Sequence, residues 1–500
     1  MTEIAPESES TSAPASTSSR RPLLVGGVAL AAVVVLGGSA AFAWDQLAGG
    51  GTQPHDVLPS SVVAYARVDG DPSASQKIQL LQLVRKSPEL AKEIGIKDAD
   101  QDLRKTIIKE MLTDCSVDYA KDVEPWIGER FGVGVASSGD TGFVAVQVTD
   151  EKAARKGISL VSGCLGFDDP GVAFVKGYAL IGEGQDKTEA AAKEAARSPL
   201  ADKASFKEDM ESLGDEGIAS VWADAKGLNE AFGASLGGGA AADKALAKTR
   251  SSAASLRAGD DNIELSAISH QNKEIGKVSQ VDLGELPADA VLAASISGGG
   301  RQVDQQWPAL TEAMGEFDLD GVLGQIEDET GFVLPADLKT LLGDNLTLVA
   351  GDRNLAKIQD FQGPADIGKL DVALALHSDS AKATELANRI ASLASRFGGF
   401  ELAVVKTKDG AVLATNKAFA NSFTKGKSLR ESESFGSVIS DENSSFGGFY
   451  LDIAKTVEVA RSMDAPAKDL KQVKQLRALG LSVTNDSDRV SRATLKLSFR

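Results

Sequence analysis

The sequence predicts an α+β protein: two tandem homologous domains behind an N-terminal transmembrane helix, each a mostly antiparallel sheet with helices on one face. Three observations lead there. A charge-free apolar run stands near the N-terminus, the chain after it repeats itself about 228 residues later, and short alternating strands are joined by hairpin turns.

Residues 1–22 are rich in Ser, Thr, Pro and Glu and hold almost nothing that builds a core, so they are expected as a disordered cytoplasmic tail. From Leu23 to Trp44 there is no charged residue. A helix of that length reaches roughly 33 Å, enough to cross a hydrocarbon core of about 30 Å. Arg20 and Arg21 precede the run, and the next basic residue is Arg67. That asymmetry keeps the N-terminus in the cytoplasm and places the rest outside. Two export readings compete with the anchor. Ala41-Phe42-Ala43 is an A-x-A-like site, so the chain is alternatively secreted after cleavage following Ala43. Arg20-Arg21-Pro22-Leu23-Leu24 also resembles a twin-arginine signal. The length of the run and the acidic segment before it favour a single-pass anchor. Residues 45–57, with Gly49-Gly50-Gly51, read as a flexible stalk.

Two repeats follow, 58–284 and 285–500. "LPSSVVAYARVDG" from Leu58 answers "LPADAVLAASISG" from Leu286. "VEPWIGERFGVGVA" from Val123 answers "LKTLLGDNLTLVAG" from Leu338, and "GYALIGEG" from Gly177 answers "GAVLATNK" from Gly410. Asp224 and Asp452 each follow a strand at matching points. The last strand alternates Ala493, Leu495, Leu497 and Phe499 with Arg492, Thr494, Lys496 and Ser498, so it has one polar side. After Asp379, residues Leu386, Ile390, Leu393 and Phe397 form an apolar helical stripe. Gly139-Asp140-Thr141-Gly142 and Lys408-Asp409-Gly410 are hairpin turn chemistry.

A membrane anchor, Leu-Pro-led strands and the helix-Gly-strand signature at Trp126-Ile127-Gly128 and Leu341-Leu342-Gly343 resemble the actinobacterial membrane-anchored domain-of-unknown-function family 3352. The resemblance spans about residues 50–500. It implies location and fold, and carries no catalytic residues over.

Composition excludes some classes. With 42% hydrophobic and 25% charged residues the chain is globular, and its net charge of −18 is scattered, which leaves no basic face for nucleic acid. Cys115 and Cys164 are the two cysteines, and in an oxidising compartment one bridge is expected. Such a bridge contributes about 4 kcal/mol on the chain-entropy model. His55, His270 and His377 have no metal-ligand spacing with one another or with a cysteine. Gly233-Ala234-Ser235-Leu236-Gly237 matches a nucleophile elbow, but it follows a helix and runs into glycines, whereas the chemistry needs a strand before Ser235. Glu316, Asp318, Asp320 and Glu327 fall at positions one, three, five and twelve of a calcium loop, with Glu where Asp belongs. Ordinary helix caps explain the same aspartates. Gly298-Gly299-Gly300-Arg301 is a candidate anion seat or a plain turn.

The functional expectation is a membrane-tethered extracytoplasmic binding or scaffold protein of the cell envelope. It needs no cofactor and shows no catalytic constellation, and its partner is an envelope protein or a lipid. The alternatives are a carrier of a lipid or other apolar ligand and, more remotely, a hydrolase using Ser235 with His270.

Overall fold

The computed structural model describes residues 51–500 apart from 71, 88–104, 106–107, 109–111, 113–116, 140–141, 163–168, 233–246, 314–318, 440–444, 464, 467–469 and 471–472. Residues 23–44, Cys115, Cys164, Ser235, Glu316 and Asp318 lie outside the described residues. Among the described residues, no helix is long and apolar enough to cross a membrane.

Eight strands come from the first half: β1 (Val62–Asp69), β2 (Ile127–Ala136), β3 (Gly142–Val148), β4 (Pro170–Val175), β5 (Tyr178–Glu183), β6 (Ala219–Asp224), β7 (Thr249–Ala258) and β8 (Asn262–Gln271). The second half supplies β9 (Ala290–Ser297), β10 (Asn345–Gly351), β11 (Val372–His377), β12 (Ala403–Thr407), β13 (Gly410–Ala414), β14 (Gly447–Asp452), β15 (Leu476–Ser487) and β16 (Val490–Phe499). All of them lie in one sheet, in the order β12-β13-β11-β10-β9-β14-β15-β16-β8-β7-β6-β1-β2-β3-β5-β4. Read inward from either edge, the two halves follow the same order. They meet where β16 pairs antiparallel with β8, from Val490 opposite His270 to Ser498 opposite Asn262. Every pairing is antiparallel, so the α+β class holds, with one continuous sheet in place of two.

The helices between strands are α1 (Ala74–Lys86), α2 (Glu151–Ser162), α3 (Gln185–Arg197), α4 (Ala204–Leu213), α5 (Ala225–Phe232), α6 (Gly299–Ala313), α7 (Leu319–Thr330), α8 (Ala336–Leu342), α9 (Ser380–Leu393), α10 (Lys417–Ser422), α11 (Glu433–Gly436) and α12 (Ile453–Ser462). Local chemistry explains several starts. Asp379 accepts hydrogen bonds from the backbone N–H groups of Ala381 and Lys382, Asp224 from Gly227, and Asp452 from Lys455. The Leu-Pro openings also behave alike: Leu200 donates to the carbonyl of Leu58 at 2.8 Å and Leu429 to that of Leu286 at 2.6 Å.

Helices on one face were the expectation, and the structure corrects it: both faces are covered. On one side α3 and α4 pack over Tyr65, Tyr178, Leu180 and Trp222. On the other α2 covers Val146, Ala179 and Ile181. The second half does the same, with Phe419 of α10 on one side and Leu386 of α9 on the other. The reason lies in the strands. In β5 the residues Tyr178 and Leu180 point one way and Ala179 and Ile181 the other, and all four are buried, so neither face tolerates water. Of the stripe after Asp379, Leu386 is buried and Phe397 is 69% exposed, because α9 ends at Leu393.

Residues 45–57 were expected as a stalk, but from Thr52 onward the chain is packed on the first half. Tyr178 donates its hydroxyl to the Thr52 carbonyl at 2.8 Å, and Pro54 is buried in a 3-10 turn. Pro54 sits where Gly132 has no side chain, since a Cβ there would lie 2.4 Å from the proline Cβ. Val57 and Leu58 are fully buried.

Because the halves share β8 and β16, they are expected to unfold together. Trp222→Ala removes a buried aromatic and is expected to cost about 3–5 kcal/mol. Calorimetry should then show one transition moved to lower temperature. A split into two transitions, with the second unmoved, would show that the halves fold independently.

Candidate ligand-binding surface

The strand register lines up apolar residues across the whole sheet. On the face that carries α2 and α9, one row runs Val404, Leu413, Leu374, Leu348, Ala294 and Phe449 from the β12 edge. It continues through Leu481, Leu495, Leu265 and Leu256 at the seam. It ends through Ala219, Val68, Phe131, Val146 and Ala179 at Phe174. No position in this row is polar. Helices cover its ends, and α1 covers the seam by packing Leu80, Leu83 and Val84 against Ile263, Leu497 and Phe499.

One stretch is open. Ile296 on β9 is 55% exposed and Leu348 on β10 is 40% exposed, while their counterparts Val68 and Val133 are half-buried. Helix α6, which follows β9 directly in the chain, and α7 also show apolar side chains to water: Leu310 is 50% exposed and Val322 is 52% exposed. Trp307 and Leu310 follow helical spacing on α6, as do Val322, Leu323 and Ile326 on α7. Neighbouring exposed apolar residues such as Ile296 and Leu348, on adjacent strands, mark a binding surface more than single scattered ones would.

The opening follows from an asymmetry between the halves. Helix α1 is pinned to the seam, where the Gln76 amide bonds both the N–H (2.8 Å) and the carbonyl (3.1 Å) of Ala258. Helix α6 holds the equivalent place in the second half. By the repeat, the positions matching Ile263, Leu497 and Phe499 are Ser491, Ser269 and Gln271, which offer no apolar landing. Helix α6 is instead rooted on α8, through Gly299 against Leu342 and Lys339 2.6 Å from Asp304. Gly298 and Gly331 take left-handed φ values of 72° and 74° at the two roots of the α6–α7 pair, conformations that favour glycine.

The described histidines sit apart from this surface. His270 ends β8 with its Nδ1 2.5 Å from Asp209 Oδ1, out of line for a straight hydrogen bond, and the other Asp209 oxygen accepts from Trp222 Nε1 at 2.6 Å. Glu208 stands 3.6 Å from His270 Nε2 and pairs with Arg250 at 2.7 Å. Asp209 is fully buried and His270 nearly so. In the second half the position matching His270 is Ser498, whose hydroxyl meets that of Ser437 at 2.7 Å. His377 ends β11 half-buried, and burial lowers its pKa.

His55 belongs to a second buried cluster, under the docked stalk. Its ring lies between Tyr65 and Phe206, with centroids 5.8 and 5.2 Å away, and its Nδ1 is 3.3 Å from the Tyr65 hydroxyl. Arg67 reaches Gln53 at 2.5 Å, the Gly217 carbonyl at 3.0 Å and Glu216 at 3.2 Å, and Asp69 stands between Arg67 (3.6 Å) and Arg130 (3.1 Å). The charges are therefore partnered, as burial requires.

Of the calcium-loop residues, Glu316 and Asp318 lie outside the described residues. Asp320 and Glu327 are both on α7, two helical turns or about 10 Å apart along the axis, and Gly321 stands inside the helix. The Gly300 N–H donates to the Gly343 carbonyl at 2.9 Å and that of Gly298 to Asp344 at 2.8 Å, so these amides already have acceptors. Among the described residues no group of three or more His, Cys, Asp or Glu side chains is placed to hold a metal ion. The open strip itself was missed in the sequence. Its signal was there, since "AVLAASIS" is apolar at nearly every position and "NLTLVAG" carries leucines on one side.

Burial lowers the His55 pKa, outweighing the pull of Glu216 and Asp56 in the other direction, with Arg67 adding to the decrease. The docked state therefore holds a neutral imidazole, and a histidine freed from the cluster titrates near 6.5. Docking of residues 53–57 is fully favoured above about pH 6.5 and weakens as the pH falls from there toward the lowered value. Amide exchange at Asp56 and Val57, corrected for intrinsic rates, should accelerate between pH 7 and pH 5, and His55→Gln should flatten the profile. A flat profile in the unmodified chain would contradict this.

No family model and no curated protein matches the chain. Among solved structures, crystal form I of TP0453 is 8% identical with a TM-score of 0.24, covering 46% of this chain and 83% of that one. Crystal form III of TP0453 is 9% identical with the same TM-score, covering 46% and 82%.

Proposed function

We propose that the chain is a membrane-tethered extracytoplasmic binding protein of the cell envelope that holds a lipid or another apolar ligand on the open strip of its second half. The observation that carries this is the exposure of Ile296 and Leu348 on the adjacent strands β9 and β10, with Leu310 of α6 and Val322 of α7 also exposed. A lipid chain fits such a strip because each methylene removed from water contributes about 0.8 kcal/mol, and the strip offers no polar group that would have to be satisfied. The charge-free run 23–44 supports the tether. A hydrolase is the weaker reading, since the Asp209 and His270 side chains are almost wholly buried.

Photoreactive phospholipid presented to the full-length chain in detergent should label peptides of β9, β10, α6 or α7. The double variant Ile296→Asp with Leu348→Asp should lower labelling about tenfold or more, since it removes burial worth about 1.5–3 kcal/mol per side chain. The circular dichroism spectrum should stay unchanged because both residues are exposed. Labelling that is absent, or equal in the variant, would overturn the proposal.

A further inference from the structure

We infer that the packed stalk is a short leash that holds the β2–β5 corner of the first half against the membrane, with the headgroup layer as its partner. This rests on the anchor at residues 23–44. The described chain is fixed from Thr52 on: its carbonyl takes the Tyr178 hydroxyl, the Gln53 side chain accepts from Arg67, and Pro54 fills the space over Gly132. Eight residue steps separate Trp44 from Thr52. At 3.3–3.6 Å per step, they span no more than about 29 Å, whatever conformation they adopt.

That limit is short beside the body it holds. Sixteen strands about 4.8 Å apart make a sheet roughly 70 Å wide. The tether enters near one end of it, beside Tyr178 on β5 and Arg130 on β2, whose guanidinium lies against Gly51. A freely hinged stalk ending at Leu58 would have let the body roam farther. Here six of those residues, from Thr52 to Val57, are taken up as structure. The exposed turn Lys176–Gly177 joins β4 to β5 at the same place, and Lys176 Nζ lies 3.5 Å from the Asp56 carbonyl. The opposite edge, with the turn Lys408-Asp409 between β12 and β13, lies at the other end of the strand order.

The test uses the full chain reconstituted into vesicles that carry an energy acceptor on a fraction of their headgroups. A fluorescent amino acid replaces Lys176 in one sample and Lys408 in another. Transfer from position 176 is expected to be at least twofold more efficient than from position 408. Twenty Gly and Ser residues inserted between Ala48 and Gly49 add about 25 Å of root-mean-square reach and touch no described residue, so they should lower transfer from position 176. Equal transfer from the two positions, or no change on insertion, in a chain that floats with the vesicles overturns the leash alone. A chain that does not float with the vesicles removes the anchor, and the leash with it.

Discussion

The pairing of β16 with β8 is the interaction on which the rest of the structure depends. It turns two copies of one topology into a single sheet, and it gives each half a neighbour on its last strand instead of an open edge. Register there is fixed from both faces. On one face Lys496 lies 3.3 Å from Glu264, which also takes Arg257 at 3.4 Å, and Arg492 bonds Ser266 and the Ser212 carbonyl. On the other face Leu495 meets Leu265 and Leu497 meets Ile263. A slip of one residue would drive Lys496 and Arg492 into the apolar row and turn the leucines outward.

The seam also sets where the protein is closed and where it is open. Helix α1 reaches across it to Phe499 and Leu497, which belong to the other half, so the end of the second repeat completes the core of the first. No reciprocal contact is available to α6, because the corresponding end of β8 is Ser269 and Gln271. A duplicated fold thereby acquires one sealed half and one half with an apolar strip in water. Cores tolerate apolar replacement more readily than a polar landing site, and a few positions are enough to release a helix.

Inside the first half, buried charge is organised around places where the chain must be held. Arg67, Asp69 and Arg130 lie on adjacent strands β1 and β2, and Arg67 bonds Gln53, so the segment from Thr52 to Val57 is docked through hydrogen bonds as well as by Pro54. Asp209 joins α4 to β6 through Trp222 and to β8 through His270. Both clusters tie separate elements together, and in the Arg67 cluster each charge faces an opposite one.

By itself the sequence determined the duplication, the strand–helix order within each half and the caps at Asp224, Asp379 and Asp452, because these depend on neighbours close along the chain or on direct comparison of two stretches. It also determined the apolar run at 23–44. Tertiary structure decided what depends on residues far apart. The union of two sheets into one rests on β8 and β16, about 228 residues apart, and either strand alone reads as an ordinary half-polar edge. Helices on both faces follow from β5, whose Tyr178-Ala179-Leu180-Ile181 run has no period that names a side. The docked stalk depends on the missing side chain of Gly132, and the open strip on Ser269 and Gln271 standing where Leu497 and Phe499 stand in the other half. A glycine or a serine in a list of residues says little about what is absent beside it. Packing decides that, since a contact is made only where two distant surfaces match in shape and polarity.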